Sequence, residues 1–227
     1  IAEKMCPDYP ILTRRLSPET DYLEAFNRSN VELVDLNERP ISRFTATGIV
    51  VGETEIELDT VIFATGFDVM TGAMDRIDIR GRDDEALKAR WAEGLTSHLG
   101  MMTHGFPNLF WINGPHSPFY NPILLAEFQC DFIADLIADM HSQELDVLEA
   151  NATAEDQYVQ LTNDIGNSTL YPESENYYMG DNIPGKARAT LFWFGGFPFY
   201  RKQCRLARED WAGFEVGSRD ERTEKAG

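Results

Sequence analysis

The chain has 227 residues, of which 43% are hydrophobic and 11% aromatic, enough for a packed core in one large domain or most of two. Its formal net charge of −18 argues against a nucleic-acid groove or an anionic membrane surface, because no stretch concentrates enough Lys and Arg to outweigh repulsion from phosphate. No apolar run reaches the roughly 20 residues that span a bilayer, and the first residues lack a charged segment followed by a hydrophobic one. The three cysteines have no Cys-x-x-Cys spacing and read as reduced thiols, which points to the cytoplasm.

In chain order, Ser17 and Pro18 offer an N-cap and a first-turn proline, predicting a short helix over residues 22–26. Val31, Leu33 and Val34 then predict a strand, and residues 41–44, 48–51 and 55–58 three more, a small meander. Residues 59–66 form a near-continuous apolar run ending in glycine, the pattern of a strand covered on both faces in a parallel sheet, and residues 108–115 are a second. Between them residues 85–93 read as a helix carrying Trp91.

The longest predicted helix covers residues 122–140, with Ala126, Cys130, Ile133, Ile137 and Met140 on its core face. Thr153, answered by Asp156, starts another through Val159, Leu161 and Ile165. Residues 171–186 make a long aromatic segment bearing Gly and Pro, and residues 190–194 a last apolar strand. The highly charged residues 218–227 are expected to be a disordered tail.

Ligands of doubly wound sheets lie beyond the carboxyl ends of the parallel strands, so Thr65 with Gly66, and Gly114 with Pro115, mark a candidate cofactor site. Glycine there admits a flat ring or a pyrophosphate, or it merely ends a strand. Asn121 and Pro122 would cap the long helix, and its free N–H groups and positive dipole end would favour negative charge on a bound ligand. A capped core helix without a ligand is the plainer reading. Arg14 and Arg15 are either a surface pair or holders of a phosphate or peroxide anion. His98, His104, His116 and His141 show neither metal spacing nor a Ser or Cys partner pattern, and read as surface or packing residues. Phe119, Tyr120, Phe192 and Trp193 suggest an aromatic, apolar pocket or ordinary core.

Many spaced segments in one order carry a family resemblance. They include Cys6-Pro7-Asp8-Tyr9-Pro10, Thr13-Arg14-Arg15-Leu16, Ala64-Thr65-Gly66-Phe67-Asp68, Ile77-Asp78-Ile79-Arg80-Gly81, Gly105-Phe106-Pro107-Asn108-Leu109-Phe110 and Gly180-Asp181-Asn182-Ile183-Pro184-Gly185-Lys186. From about Met5 to Val216 the chain resembles the C-terminal portion of the Baeyer–Villiger monooxygenases, class B flavoproteins. The resemblance implies an α/β fold, part of a flavoprotein with two Rossmann-like dinucleotide-binding domains, a small β-meander and C-terminal helices. Residues 1–30 would end the NADPH domain and its linker, and residues 31–217 would be the later part of the FAD domain with its substrate-lining loops. The cofactors implied are FAD and NADPH, and the substrates a small ketone and dioxygen.

Residue by residue, Arg15 matches the family arginine that holds the flavin peroxide as an anion. Arg14 matches a basic neighbour, usually Lys, that contacts the NADPH phosphate. Ser117, Phe119 and Tyr120 fall in the substrate-lining segment beside the flavin, which ends at Pro122. Tyr177 stands where the family generally carries a Trp touching NADP, and Asn182 and Lys186 belong to the same loop. The Gly-x-Gly-x-x-Gly turns for FAD and NADPH do not occur in the chain, so a truncated or split protein is expected, completed by an N-terminal half or a complementing chain. Two rival readings are a flavin enzyme that oxidises sulfur or nitrogen, and a fragment inactive alone that only completes or binds a partner.

Overall fold

The computed structural model describes residues 1–92 and 94–218, which divide into two compact units, Ile1–Gly66 and a second from Phe67 onward. No helix among the described residues is long and apolar enough to cross a membrane. The predicted tail lies outside the described residues beyond Ser218.

In the first unit the short helices α1 (Ala2–Met5) and α2 (Tyr22–Ala25) precede a three-stranded antiparallel sheet, β1 (Ile41–Phe44), β2 (Gly48–Val51) and β3 (Thr54–Glu57). The predicted cap of α2 shifts: Asp21 is the N-cap, in a left-handed conformation with φ 62°, and the Glu19 carboxylate accepts from the Tyr22 N–H at 2.7 Å. The meander forms where expected, with Val50 and Val51 buried. Thr45 and Thr47 both donate to the Glu55 carboxylate, which holds that carboxyl below its usual range and fixes the β1–β2 turn.

Two predicted strands of this unit do not form. Residues 31–34 and 59–66 carry no strand pairing, and Ile62 and Phe63 are 87% and 67% exposed. The reason is physical: a strand is stabilised by ladder partners and by layers on its faces, and among the described residues no neighbour pairs with either segment.

The second unit has helices α3 (Leu87–Ala92), α4 (Pro122–Ser142), α5 (Ala152–Asn167) and α6 (Phe197–Arg208), and an antiparallel pair, β4 (Val147–Ala150) and β5 (Phe214–Gly217). Its larger core gathers α4, α5 and α6 around Trp193, Tyr200, Leu148 and Phe214, and a smaller one surrounds Trp91, Phe106, Tyr178 and Phe192. The buried stripe of α4 is Leu125, Gln129, Phe132, Leu136 and Met140, so most of the predicted face is rotated by one position and Cys130 and Ile137 are exposed. The bulky phenylalanine at 132 wins the core over the smaller neighbours that the sequence pattern favoured. Helix α5 is capped by Asn151, whose side chain accepts from Ala154 N at 3.0 Å, in place of Thr153.

Residues 108–115 form turns rather than a strand. The sheet-like pairing lies just beyond them, where 116–119 runs parallel to 191–193 through His116 N to Leu191 O at 2.9 Å, Trp193 N to Ser117 O at 3.0 Å and Phe119 N to Trp193 O at 3.0 Å. The predicted strand at 190–194 is therefore an extended segment with one parallel neighbour.

Candidate functional site

Extended backbone sends successive side chains to opposite sides, and residues 192–194 follow that rule. Trp193 enters the larger core, stacked on Tyr158 with ring centres 5.3 Å apart, while Phe192 and Phe194 turn to the smaller aromatic cluster. Phe119 meets that cluster edge-on, 5.2 Å from Tyr178 and 5.8 Å from Phe192, and lies 6.2 Å from Phe194 at a tilt. Yet Phe119 stays 41% exposed, so it forms the open rim of an aromatic wall. Tyr177 packs on Tyr178 at 4.0 Å in the same wall. Of the two readings the sequence left open for Trp193, pocket or core, the structure shows core.

The other two residues expected to line the substrate space depart from it. Tyr120 points elsewhere and stacks on Phe197 at 4.6 Å. Ser117 is buried, donating to Gly100 O at 3.1 Å and accepting from Gln129 Nε2 at 3.0 Å. Gln129 also donates to the Tyr200 hydroxyl and accepts from the Asn113 N–H at 2.7 Å, and so pins the 113–117 loop to α4 and α6. Its signal in the sequence was a polar residue four positions after Leu125 on an otherwise apolar face, which a buried amide can occupy only when fully hydrogen-bonded.

Asn121 is the N-cap of α4 as expected, but its side-chain oxygen accepts from both Ile123 N and Leu124 N. Pro122 has no N–H, and Leu125 N bonds to Asn121 O, so the first-turn donors expected to be free are all engaged within the chain. What remains there is the dipole end. Gly114 and Pro115 are buried, and any side chain at 114 would overlap the Trp111 indole. Packing accounts for that glycine. Gly66, by contrast, has φ 86° and open space where a side chain would be, so a flat ring could approach its backbone without obstruction. Thr65 beside it is exposed.

The loop bearing Asn182 and Lys186 is tied down. Asn182 donates to Phe67 O at 2.9 Å, and Lys186 pairs with Asp68 and reaches Val69 O. The loop borders a cleft of 450 Å³ with Thr71, Asp75, Lys88 and Trp91 on its walls. The Thr71 hydroxyl is buried without a partner among the described residues, and burial, with Asp68 nearby, raises the Asp75 carboxyl above its usual range. Asp181 in the same loop pairs with Arg188 at 3.2 Å.

In the first unit Thr13 is fully buried and donates to Pro10 O at 2.7 Å, which presents the two arginines after it as exposed side chains. The Arg14 guanidinium sits over the Tyr9 ring at 4.3 Å. The histidines are mostly packing residues. His116, expected to have no Ser partner, in fact lies 3.1 Å from Ser97 Oγ, but Ser97 donates its proton to Pro115 O and both are buried, so this pair activates no nucleophile. Burial lowers His116 and His98 to about 4. No group of side chains among the described residues could hold a metal ion.

No family model matches the chain. It is similar to cyclopentanone 1,2-monooxygenase of Comamonas sp. (strain NCIMB 9872), 39% identical over 224 residues, covering 96% of this chain and 41% of that protein. A Baeyer–Villiger monooxygenase of Pseudooceanicola batsensis is also 39% identical, over 99% of this chain and 41% of its own length. A phenazine N-monooxygenase of Lysobacter antibioticus is 37% identical over 96% and 40%. Among solved structures, a crystal structure of OTEMO in complex with FAD and NADP superposes with a TM-score of 0.89 at 36% identity, covering 95% of this chain and 40% of that one. The chain thus spans about two fifths of the length of the curated relatives it matches.

Proposed function

We propose, from a chain that belongs by sequence and fold to the Baeyer–Villiger monooxygenases, that it serves as the C-terminal part of an enzyme using FAD, NADPH and dioxygen to convert ketones into esters or lactones. The observation that carries this reading is the half-exposed Phe119 on a wall of Tyr177, Tyr178, Phe192 and Phe194, an apolar face suited to the hydrocarbon of a small ketone. Bound FAD would supply dioxygen activation, with electrons drawn from NADPH. In the first unit the open backbone at Thr65 and Gly66 suits the approach of a flat ring, and in the second the dipole end of α4 favours negative charge at its own N-terminus.

The chain's own contributions follow from its charges and shapes. Arg15, through its guanidinium, is assigned the stabilisation of negative charge during oxygen transfer, and Arg14 a contact with the NADPH phosphate. Asn182, Lys186 and Tyr177 would position the nicotinamide cofactor, with tyrosine offering a smaller ring than the tryptophan expected there. Lys186 would have to share itself with Asp68. Gly114, Pro115 and Ser117 act by holding the loop that carries Phe119, and Tyr120 by packing on Phe197. The rest of the enzyme would come from an N-terminal part or a complementing chain, in the cytoplasm.

A second reading, oxygenation of a ring nitrogen, draws support from the likeness to a phenazine N-monooxygenase. The complete enzyme would be given a cyclic ketone, a thioether and an N-heteroarene, with products quantified beside NADPH consumption. Lactone as the main product is expected, and Arg15→Ala should cut lactone formation at least a hundredfold while NADPH oxidation continues. Rapid, coupled lactone formation by Arg15→Ala would remove Arg15 from its assigned role, and exclusive N-oxide formation would replace the ketone reading with the second.

A further inference from the structure

Along α4, Glu127, Asp131, Asp135 and Asp139 recur every fourth residue and so share one face as an acidic row. Helix α6 holds Arg201, Lys202, Arg205 and Arg208 with no acidic residue between its ends. Asp131 and Asp135 of the acidic row and all four cations of the basic row line an open groove of 510 Å³ that also holds Phe128, Phe132 and Cys204.

At one end the rows close on each other. Arg208 donates to Asp135 at 2.7 Å and to Asp139 at 2.8 Å. At the other end they stay apart: the Arg201 guanidinium sits 5.6 Å above the Phe128 ring, and Arg201, Lys202, Glu127 and Asp131 have no ion-pair partner among the described residues. Arg205 reaches Glu209 only at 3.9 Å, with both side chains exposed.

From this we infer that the open end of the α4–α6 groove docks a second copy of the chain. A surface with a positive row beside a negative row is self-complementary under a two-fold rotation, which lays the acidic row of each copy over the basic row of the other. The apolar side chains in the groove supply area that ion pairs alone would lack. For a molecule with a net charge of −18, bulk electrostatics oppose self-association, so a contact of this kind must depend on local opposite charges and must weaken with salt.

The test is the molar mass of the complete protein by sedimentation, at low salt and at roughly 0.5 M salt. It is run on the wild type, Arg201→Glu, Asp131→Arg and an equimolar mixture of the two variants. The expected result is a dimer whose dissociation constant rises at least tenfold with salt, two variants that are monomeric alone, and a mixture that recovers the dimer because the glutamate introduced on α6 of one variant then faces the arginine introduced on α4 of the other. Melting curves check that each variant folds, and Lys202→Glu with Glu127→Lys repeats the exchange at a second pair. A monomer at every concentration, a dimer indifferent to both reversals, or a mixture that stays monomeric overturns the inference. Binding of some other partner in the groove by a monomeric protein counts equally against it.

Discussion

Two apolar triplets of similar composition meet opposite fates. Val61, Ile62 and Phe63 are 38%, 87% and 67% exposed, whereas Leu191, Phe192 and Trp193 are 1%, 7% and 1% exposed. Residues 191–193 have a parallel neighbour in 116–119, a stacked Tyr158 on one side and an aromatic cluster on the other. Residues 61–63 have an aromatic contact from Phe44 at 5.7 Å and no strand partner among the described residues. The comparison teaches that an apolar run records a demand for cover and says nothing of where the cover comes from.

The largest effect expected from that comparison is at Trp193. Truncation to alanine removes a fully buried indole that touches Tyr158, Tyr200 and Phe199, and should lower the stability of this chain by about 3–5 kcal/mol in urea denaturation. A loss below about 1 kcal/mol would mean that the core around α4, α5 and α6 is not packed as described, and the contrast between the triplets would fall.

Acid should strain the same core by a smaller amount per group. His98 and His116 have ordinary values of 6.5 when unfolded and about 4 when folded, because burial penalises the charged ring. The Ala154 backbone opposes the shift for His98, yet neither of its ring nitrogens reaches hydrogen-bonding geometry with a partner among the described residues. Below pH 6.5 the unfolded chain takes up protons that the folded chain refuses, so stability is full above that value and falls as pH drops toward 4. At pH 5 the loss should be about 2 kcal/mol for each histidine. Denaturation midpoints at pH 7 and pH 5 measure it, and His98→Phe, which keeps a ring against Tyr158 and Phe214, should remove about half of the dependence. An unchanged pH dependence in that variant would show that His98 is hydrated or charged in the folded chain.

What was legible in the sequence divides along the same physical line. Most local signals held: the β1–β3 meander, the N-cap Asn121 with Pro122, and the length of α4 follow from turn residues, capping oxygens and periodicity within a few residues, while the caps expected at Ser17 and Thr153 moved to Asp21 and Asn151. Signals that depend on distant partners did not. The face of α4 was misjudged because volume at Phe132 decides the packing, and Gly114 looked like a ligand-approach glycine until Trp111 occupied its space. Ser117 looked available until Gly100 and Gln129 claimed its hydroxyl. Phe119 and Tyr120 follow the alternation of an extended segment, which is local: one ring meets Tyr178 and Phe192, the next stacks on Phe197.

The smallest expected effect is the most discriminating one. Phe63→Ser replaces a side chain that is 67% exposed and should change the stability of this chain by no more than about 0.5 kcal/mol, since little apolar area leaves water on folding there. If further chain covers residues 61–63 in the complete protein, the same substitution should cost about 2–4 kcal/mol there and weaken retention of bound FAD, because a covered aromatic exchanged for a hydroxyl loses its transfer energy and leaves a gap. Paired measurements on the two lengths of chain separate the cases. A large loss already in this chain would mean that residues 61–63 find cover within it, and the two triplets would no longer differ in kind. A negligible loss in both would mean that the run is an exposed surface in its own right, and that the glycine at 66 beside it admits no cofactor.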